Sequence, residues 1–263
     1  MTTSVLHNSL LMNTDTTETV CDELVHEEAL QMIVNGQDFS ITMQTPGHEL
    51  YLVRGLLHAE GIHSEKFLDF KIERHETGSI ARVQVDHKQL LNSGRRLNST
   101  SSCGVCGKSS LDALEIIKKN KTNSSEPKIT KETVILSPKI LQENQSEFSK
   151  TGGIHASGLF SSNGELVNLR EDVGRHNALD KLIGNALIND QLNPKTQFIT
   201  CSGRLNFELV QKVLMTDIGI MIGVGAPTSL AIDLANKFDI TLIGFVKRDS
   251  FNIYTNNKKV IVD

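Results

Sequence analysis

The sequence contains few cysteines, no long apolar run and no basic residue near its start. A membrane-spanning helix needs about 20 consecutive apolar residues, and no stretch of the 263 residues approaches that length. Residues 1–20 are rich in Thr, Ser and Asn and contain no Lys or Arg, so they lack the features of a signal peptide. We therefore expect residues 1–27 to be a partly disordered leader. We also expect the protein to be soluble and cytoplasmic, without a membrane partner.

The charge balance excludes a general attraction to nucleic acid. The chain has 27 Lys and Arg residues against 31 Asp and Glu residues, a formal net charge of −4 at pH 7. Because this balance draws in neither nucleic acid nor an anionic membrane, any anionic ligand must be held by a local pocket. A length of 263 residues suits two domains, since one domain usually takes ~100–200 residues.

Residues 28–120 predict a small α+β lobe. Two apolar or β-branched runs, 29–34 and 39–43, flank Asn35-Gly36, a strong signal for a β-hairpin turn. The other elements expected in this lobe are a helix over 48–58, strands over 67–72 and 80–85, an exposed polar loop over 92–108 and a helix over 110–119.

Residues 128–263 predict an α/β domain. A second hairpin is expected around Asn163-Gly164. Strands over 197–201, 218–224 and 240–246 alternate with helices over 134–148, 173–187, 206–215 and 227–238. Such alternation predicts a mixed or parallel sheet that is covered by helices on both faces.

Cys103 and Cys106 form a Cys-x-x-Cys pair with glycines beside it. A structural zinc site needs four ligands, and Cys21 and Cys201 are isolated residues far along the chain. A thioredoxin-type redox pair follows a strand directly, whereas a polar Ser/Thr/Asn-rich run precedes this one. The third alternative is a sulfur carrier that holds sulfur as a persulfide. The pair alone favours redox or transfer chemistry over zinc.

A persulfide carrier needs a reactive thiolate, so the pKa of the thiol must fall below its free value of ~8.5. Lys108 and the start of the helix predicted from Ser110 supply positive potential beside the pair. The neighbouring glycines allow close approach of a partner, and a flexible loop can visit a donor and then an acceptor.

Several polar turns of the C-terminal domain could hold an anion. The run from Glu171 to Asn177 collects Asp172, Arg175 and His176 at a predicted helix start, and helix N-termini bind phosphate through free N–H groups. Asp172 could equally cap that helix and pair with Arg175.

Two further turns follow strands. The Cys201-Ser-Gly-Arg204 turn and the Lys247-Arg248 pair each come after a predicted strand, where open α/β sheets place their ligands. His155 follows two flexible glycines. None of these turns is a Walker loop or a dinucleotide-binding fingerprint, but together they predict phosphate-competent groups along one sheet edge.

Four motifs, taken in order, resemble those of the formate dehydrogenase accessory sulfurtransferases of the FdhD/NarQ family. They are Cys103-Gly-Val-Cys106-Gly, Glu171-Asp-Val-Gly-Arg-His-Asn-Ala-Leu-Asp-Lys181, Phe207-Glu-Leu-Val-Gln-Lys212 and Thr241-Leu-Ile-Gly-Phe245. The resemblance covers residues 28–255, and the second motif is long and specific.

The resemblance implies a sulfurtransferase that receives sulfur from a cysteine desulfurase as a persulfide on Cys103, with Cys106 assisting. It implies that the sulfur passes to a molybdenum bis-guanine-dinucleotide cofactor before that cofactor enters formate dehydrogenase. The cofactor-binding stretch of the family maps to Phe245, Val246, Lys247, Arg248, Asp249 and Ser250. His155, Asp172, Arg175 and His176 are expected to line or support the same pocket.

The implied architecture is a small α+β lobe followed by a cytidine-deaminase-like three-layer α/β domain, commonly in a homodimer. Zinc deaminases need a His-x-Glu and a Pro-Cys-x-x-Cys motif in that domain. Here His155 is followed by Ala156 and Ser157, and the C-terminal domain has no cysteine pair. We therefore expect no zinc.

Overall fold

The computed structural model describes residues 2–62, 67, 69–86 and 127–261. Its strands are β1 (Ser4–Met12), β2 (Thr17–Val25), β3 (Glu28–Val34), β4 (Gln37–Gln44), β5 (Asp69–His75), β6 (Gly78–Gln84), β7 (Ile129–Thr130), β8 (His155–Ser161), β9 (Leu166–Asp172), β10 (Gln197–Cys201), β11 (Ile220–Gly223), β12 (Thr241–Gly244), β13 (Asn252–Ile253) and β14 (Val260–Ile261). Its α-helices are α1 (Glu49–Ala59), α2 (Lys131–Glu143), α3 (Ser146–Thr151), α4 (Arg175–Ile188), α5 (Phe207–Met215) and α6 (Ser229–Lys237). The predicted loop over 92–108 and helix over 110–119 lie outside the described residues.

The expectation of a disordered leader over 1–27 is wrong for most of that segment. Strands β1 and β2 pair antiparallel, from Ser4 opposite Val25 to Met12 opposite Thr17. The Thr-, Ser- and Asn-rich composition suggested disorder, but threonine also favours strands, because β-branched residues fit a pleated surface. The hairpin meets the rest of the chain near α3, where Thr3 Oγ1 donates to Glu147 Oε2 over 2.6 Å.

The small lobe is a four-stranded sheet in the order β4-β3-β6-β5 with α1 packed on it. The hairpin predicted at Asn35-Gly36 is confirmed, and both turn residues have positive φ, 49° and 80°. Glycine and asparagine are the residues that accept this conformation most readily. Alternate residues of β3 and apolar residues of α1, among them Leu30, Met32, Leu52 and Leu57, form a core with no exposed surface.

The C-terminal domain has a six-stranded sheet in the order β13-β12-β11-β10-β8-β9. Strands β10, β11 and β12 are mutually parallel, whereas β8 runs antiparallel to β10. Helices α4, α5 and α6 bury their apolar sides on one face, and α2 packs on the other. This arrangement confirms the expectation of a mixed sheet that is covered on both faces.

The helix predicted over 134–148 is interrupted. Helix α2 ends at Glu143 and α3 starts at Ser146, because Glu171 of β9 reaches the break. Its carboxylate accepts hydrogen bonds from the N–H groups of Glu147 at 3.0 Å and Phe148 at 2.9 Å. Glu171 thereby satisfies the free N–H groups at the start of α3, a long-range contact that local sequence does not reveal.

The two lobes meet through α1 and α4, which pack closely at two glycines. A Cβ at Gly55 would lie 1.9 Å from the carbonyl oxygen of Asp180, and a Cβ at Gly184 would lie 1.9 Å from that of Tyr51. Neither approach is possible for any other residue type, so these glycines set the distance between the helices. No helix in the described part of the chain is long and apolar enough to cross a membrane.

Candidate functional site

The main cleft of about 920 Å³ opens at one edge of the six-stranded sheet. Three of its lining residues, Ser202, Val224 and Val246, follow the carboxyl ends of the parallel strands β10, β11 and β12. His155 starts the antiparallel β8 and therefore lies at the same edge. The cleft thus occupies the place where open α/β sheets bind their ligands, as the sequence predicted.

His155 lies at the base of the main cleft with a defined orientation. Its Nδ1 is 3.3 Å from Ser202 Oγ, and the same hydroxyl oxygen accepts a hydrogen bond from the N–H of Ala156 at 2.9 Å. Burial and then the nearby Arg175 lower the pKa of His155, although Asp172 acts in the opposite direction. These surroundings therefore favour the neutral imidazole.

Arg175 is the first residue of α4 and lies beside His155. A Cβ at Gly203 would be 3.4 Å from His155 Cε1 and 3.6 Å from Arg175 Cδ, so both side chains contact this glycine. The N-cap residue of α4 is Gly174, which has no side chain to bond the first N–H groups. The buried Nε of Arg175 also has no hydrogen-bond partner in the described part of the chain. The guanidinium therefore lies behind His155 and Gly203, and Arg175 is not among the residues that line the main cleft.

The stretch 245–250 contributes unequally to the main cleft. Val246, Lys247 and Arg248 line it, held by a tight turn in which the N–H of Lys247 donates to the carbonyl of Ser250 over 2.8 Å. Phe245 has a positive φ of 52° and a 44% exposed side chain. Phe245, Asp249 and Ser250 are not among the lining residues. The cations of this turn, rather than its whole length, reach the main cleft.

Asp172 does not line the main cleft, because it is fully buried between the lobes. Its Oδ2 contacts Lys181 Nζ at 2.5 Å and accepts from the N–H of Thr45 at 3.1 Å. Its Oδ1 accepts from the N–H of Gly174 at 2.8 Å and from Asn177 Nδ2 at 3.2 Å. Asp172 pairs with Lys181 rather than with Arg175, and it joins the lobes rather than holding a ligand.

His176 also faces away from the main cleft and lines a smaller groove between the lobes. Its Nε2 lies 3.1 Å from Glu208 Oε2 and 3.0 Å from Asn206 Nδ2. Burial, followed by Lys212 and Arg175, lowers the pKa of His176 to about 4, although a hydrogen bond to Asn206 raises it. His176 is therefore uncharged at neutral pH.

Cys103 and Cys106 lie outside the described residues. Of the cysteines inside them, Cys21 is exposed and Cys201 is buried. Burial raises the pKa of the Cys201 thiol to about 11, although Ser157 acts against it. Cys201 is thus a thiol at neutral pH and has no nucleophilic role. No group of three or more His, Cys, Asp or Glu side chains within the described ranges could hold a metal ion.

Comparisons with known proteins identify the family. Residues 25–261 match the model of the FdhD/NarQ family. The chain belongs to the FdhD/NarQ family. A relative from Streptomyces coelicolor is 40% identical over 251 residues, which are 91% of this chain and 89% of the relative. One from Sulfurisphaera tokodaii is 40% identical over 249 residues, 93% of this chain and 94% of the relative. Both are named "Sulfur carrier protein FdhD".

A solved structure shares the fold of this FdhD/NarQ chain. It is a formate dehydrogenase accessory protein of Desulfotalea psychrophila, with a TM-score of 0.78 and 19% identity. The match covers 99% of this chain and all of that one. The expected family membership and the mixed α/β class are therefore confirmed.

One wall of the main cleft was missed from the sequence. It consists of α2 and the segment after it, including Leu136, Lys139, Gln142, Gln145 and Phe148. These residues form an ordinary amphipathic helix pattern, which carries no local signal of ligand contact. Ser202 and Val224 could have been found, since both lie where a predicted strand ends.

Proposed function

We propose that this FdhD/NarQ protein is a cytoplasmic sulfurtransferase for the molybdenum bis-guanine-dinucleotide cofactor. Cys103 accepts sulfur from a cysteine desulfurase as a persulfide, Cys106 assists, and the terminal sulfur is passed to the molybdenum of a cofactor held in the main cleft. In that transfer the S–S bond breaks, Cys103 leaves as a thiolate, and a thiol reductant supplies the two electrons that convert the sulfane sulfur to sulfide. Formate dehydrogenase requires the product for activity, and the carrier acts as a homodimer. The observation that carries the proposal is the cation-lined cleft at the carboxyl ends of β10, β11 and β12, in a chain whose relatives are sulfur carriers.

The chemistry of the main cleft supports a nucleotide-bearing cofactor. Lys247 and Arg248 on one side and Lys139 on the other suit the phosphate oxygens. Leu136, Phe148 and the valines after the strands present apolar surface that suits flat rings. Arg175, which is next to His155 at Gly203 but is not among the lining residues, adds positive charge behind this part of the main cleft.

The loading step conserves atoms and electrons. The Cys103 thiolate attacks the terminal sulfur of the donor persulfide, the S–S bond of the donor breaks, and the donor cysteine leaves as a thiolate. A new S–S bond now joins that sulfur to Cys103. In this proposal His155 and the cations of the main cleft belong to the binding site of the acceptor, so they need not take part in loading Cys103 with sulfur.

The C-terminal domain supports a relation to the cytidine-deaminase fold as part of the same proposal. Its sheet has helices α4 to α6 on one face and α2 on the other, a three-layer arrangement. In this proposal the ligand edge of that fold has lost its zinc motif and gained anion-binding groups.

Complementation in cells tests the proposed function. Cells without this gene are expected to lack formate dehydrogenase activity, and the unaltered gene or Cys201→Ala is expected to restore it. Cys103→Ala is expected to fail at equal protein levels. Full restoration by Cys103→Ala would contradict the transferase function and would favour a protein that only binds and hands over the cofactor.

A further inference from the structure

A second concave surface lies between the lobes, separate from the chemistry of the main cleft. This inter-lobe groove has a volume of about 310 Å³ and is lined by consecutive residues of β4, Ser40, Ile41, Thr42 and Met43, together with residues of α1, α4 and α5. Side chains of a strand alternate between its two faces, so four consecutive lining residues mean that the groove runs along the free edge of β4. This strand is the edge of its sheet.

The backbone groups on the outer edge of β4 are partly satisfied by α4 and by Asp172. The N–H of Thr45 donates to Asp172 Oδ2 at 3.1 Å, and its carbonyl accepts from Lys181 Nζ at 2.5 Å. Two residues earlier, the carbonyl of Met43 accepts from Asn177 Nδ2 at 2.6 Å. The odd-numbered residues at this end of β4 therefore point their backbone groups away from β3.

Ile41 is the next residue in that series. In an antiparallel ladder the backbone groups alternate in direction, so the N–H and carbonyl of Ile41 also point outward, into the inter-lobe groove. Within the described ranges these two groups have no hydrogen-bond partner. The side chains of Ile41 and Met43 are 60% and 48% exposed. An edge with open backbone groups and exposed apolar side chains is a template for another strand.

The inter-lobe groove is acidic. Glu27 and Glu208 line it, while the lining cation Lys212 contacts both carboxylate oxygens of Asp180 at 2.8 Å. His176, which also lines the groove, is uncharged at neutral pH. The electrostatic potential thus disfavours phosphate groups and favours a cationic occupant.

We propose that the inter-lobe groove is a docking site for an extended, basic segment of a partner protein, which pairs with β4 at Ile41. The backbone of the segment supplies the hydrogen bonds, its cations face Glu27 and Glu208, and its apolar side chains cover Ile41 and Met43. This mode of recognition is strand addition. It is independent of sulfur transfer, because none of the groups involved belongs to the main cleft.

A labelled synthetic peptide of alternating arginine and valine is the probe, with a glutamate and valine peptide as its counterpart. Fluorescence anisotropy with the full chain is expected to show the basic peptide binding at least about tenfold more tightly. Hydrogen exchange of the Ile41 amide is expected to slow when the basic peptide is present. Equal binding of the two peptides, or unchanged exchange at Ile41, would overturn the proposal.

Two pairs of variants distinguish specific docking at β4 from a general loss of structure or a general change of charge. Ile41→Pro removes the outward N–H without removing a bond to β3, a change that edge strands tolerate, and is expected to abolish binding. Ile41→Ala shortens the side chain but keeps the N–H, and is expected to weaken binding only partially. Glu27→Lys is expected to reduce affinity at least about tenfold, and Glu165→Lys, in the distant β8–β9 turn, to leave it unchanged. Thermal unfolding confirms that each variant is folded.

Hydrogen exchange of the Ile41 amide in the free protein tests whether a segment of this chain, rather than a partner, occupies the inter-lobe groove. If Ile41 is already protected without peptide, a segment of this chain pairs with β4, and docking of a partner there is overturned. Rapid exchange in the free protein supports an open edge.

Discussion

At the scale of single residues, the contacts of a polar side chain in the fold, rather than its residue type, decide whether it lines the main cleft. Lys247 and Arg248 were expected there from their place after a strand, and both line it. Asp172 was expected there from its motif, yet it lies fully buried against Lys181 and Thr45. Thr45 belongs to the other lobe, so no local pattern around Asp172 could have revealed this partner.

The cations of the main cleft give the first prediction. Lys247→Gln and Arg248→Gln should each weaken the binding of guanosine diphosphate about tenfold, since each removes one charge-assisted contact to phosphate. Lys258→Gln, an exposed position in the short helical turn at 257–259, is the matched control and should bind normally. Isothermal titration calorimetry measures the three affinities. Normal binding by both cleft variants would place the nucleotide elsewhere.

His176 predicts a pH dependence of stability. The pKa of His176 is about 4 in the folded protein, below the ordinary value of about 6.5 in the unfolded chain. The unfolded state therefore binds the proton first, and stability is lost as pH falls from 6.5 towards 4. Because the ring is partly exposed, the loss is on the order of 1–2 kcal/mol.

Urea unfolding at pH 7 and at pH 4.5 measures this effect. His176→Gln should lose less stability than the unaltered protein over that interval, because glutamine does not titrate. Other titrating groups are common to both proteins and cancel in the difference. An identical pH dependence of the two proteins would show that His176 is not held neutral by the fold.

Because Asp172 and Lys181 form a buried ion pair, substitutions of the two residues should be strongly coupled in their effect on the free energy of unfolding. Asp172→Ala or Lys181→Ala leaves an unpaired buried charge, which costs about 3–5 kcal/mol of the free energy of unfolding. The double variant should lose less than the sum of the two single losses, as expected for residues in contact. A double-mutant cycle by urea unfolding measures the coupling, and strict additivity would contradict it.

At the scale of elements, the sequence predicts most helices and strands of the described residues well. Turn residues such as Asn35-Gly36 and caps such as Asn206, whose side chain accepts from the N–H of Leu209, mark element ends locally. The failures involve distant contacts. The pairing of β1 with β2 and the break after α2, stabilised by Glu171, depend on residues that are remote in sequence.

The close packing of α1 and α4 gives a prediction at this scale. Gly184→Ala would place a Cβ 1.9 Å from the carbonyl oxygen of Tyr51, so the helices must separate at a cost of about 1–3 kcal/mol. Gly153→Ala has only an ordinary contact at 3.7 Å and should change stability little. Denaturant unfolding compares the two variants, and equal stabilities would show that the contact relaxes freely.

At the scale of the whole molecule, the described residues form two concave surfaces of different charge. The main cleft carries cations at the carboxyl ends of parallel strands, and the inter-lobe groove carries glutamates beside an open strand edge. The buried pair and the glycine contacts fix the lobes to each other. The sequence located the main cleft through its strand ends, but it could not reveal the inter-lobe groove, which exists only once the lobes meet.

The central claim is that Cys103 holds a transferable sulfur atom. Intact mass spectrometry after incubation with cysteine and a cysteine desulfurase tests it most directly. The unaltered chain and Cys201→Ala should each gain the mass of one sulfur atom, which a reductant removes, whereas Cys103→Ala should gain none. An equal, reducible gain in Cys103→Ala would contradict the assignment of this thiol as the carrier.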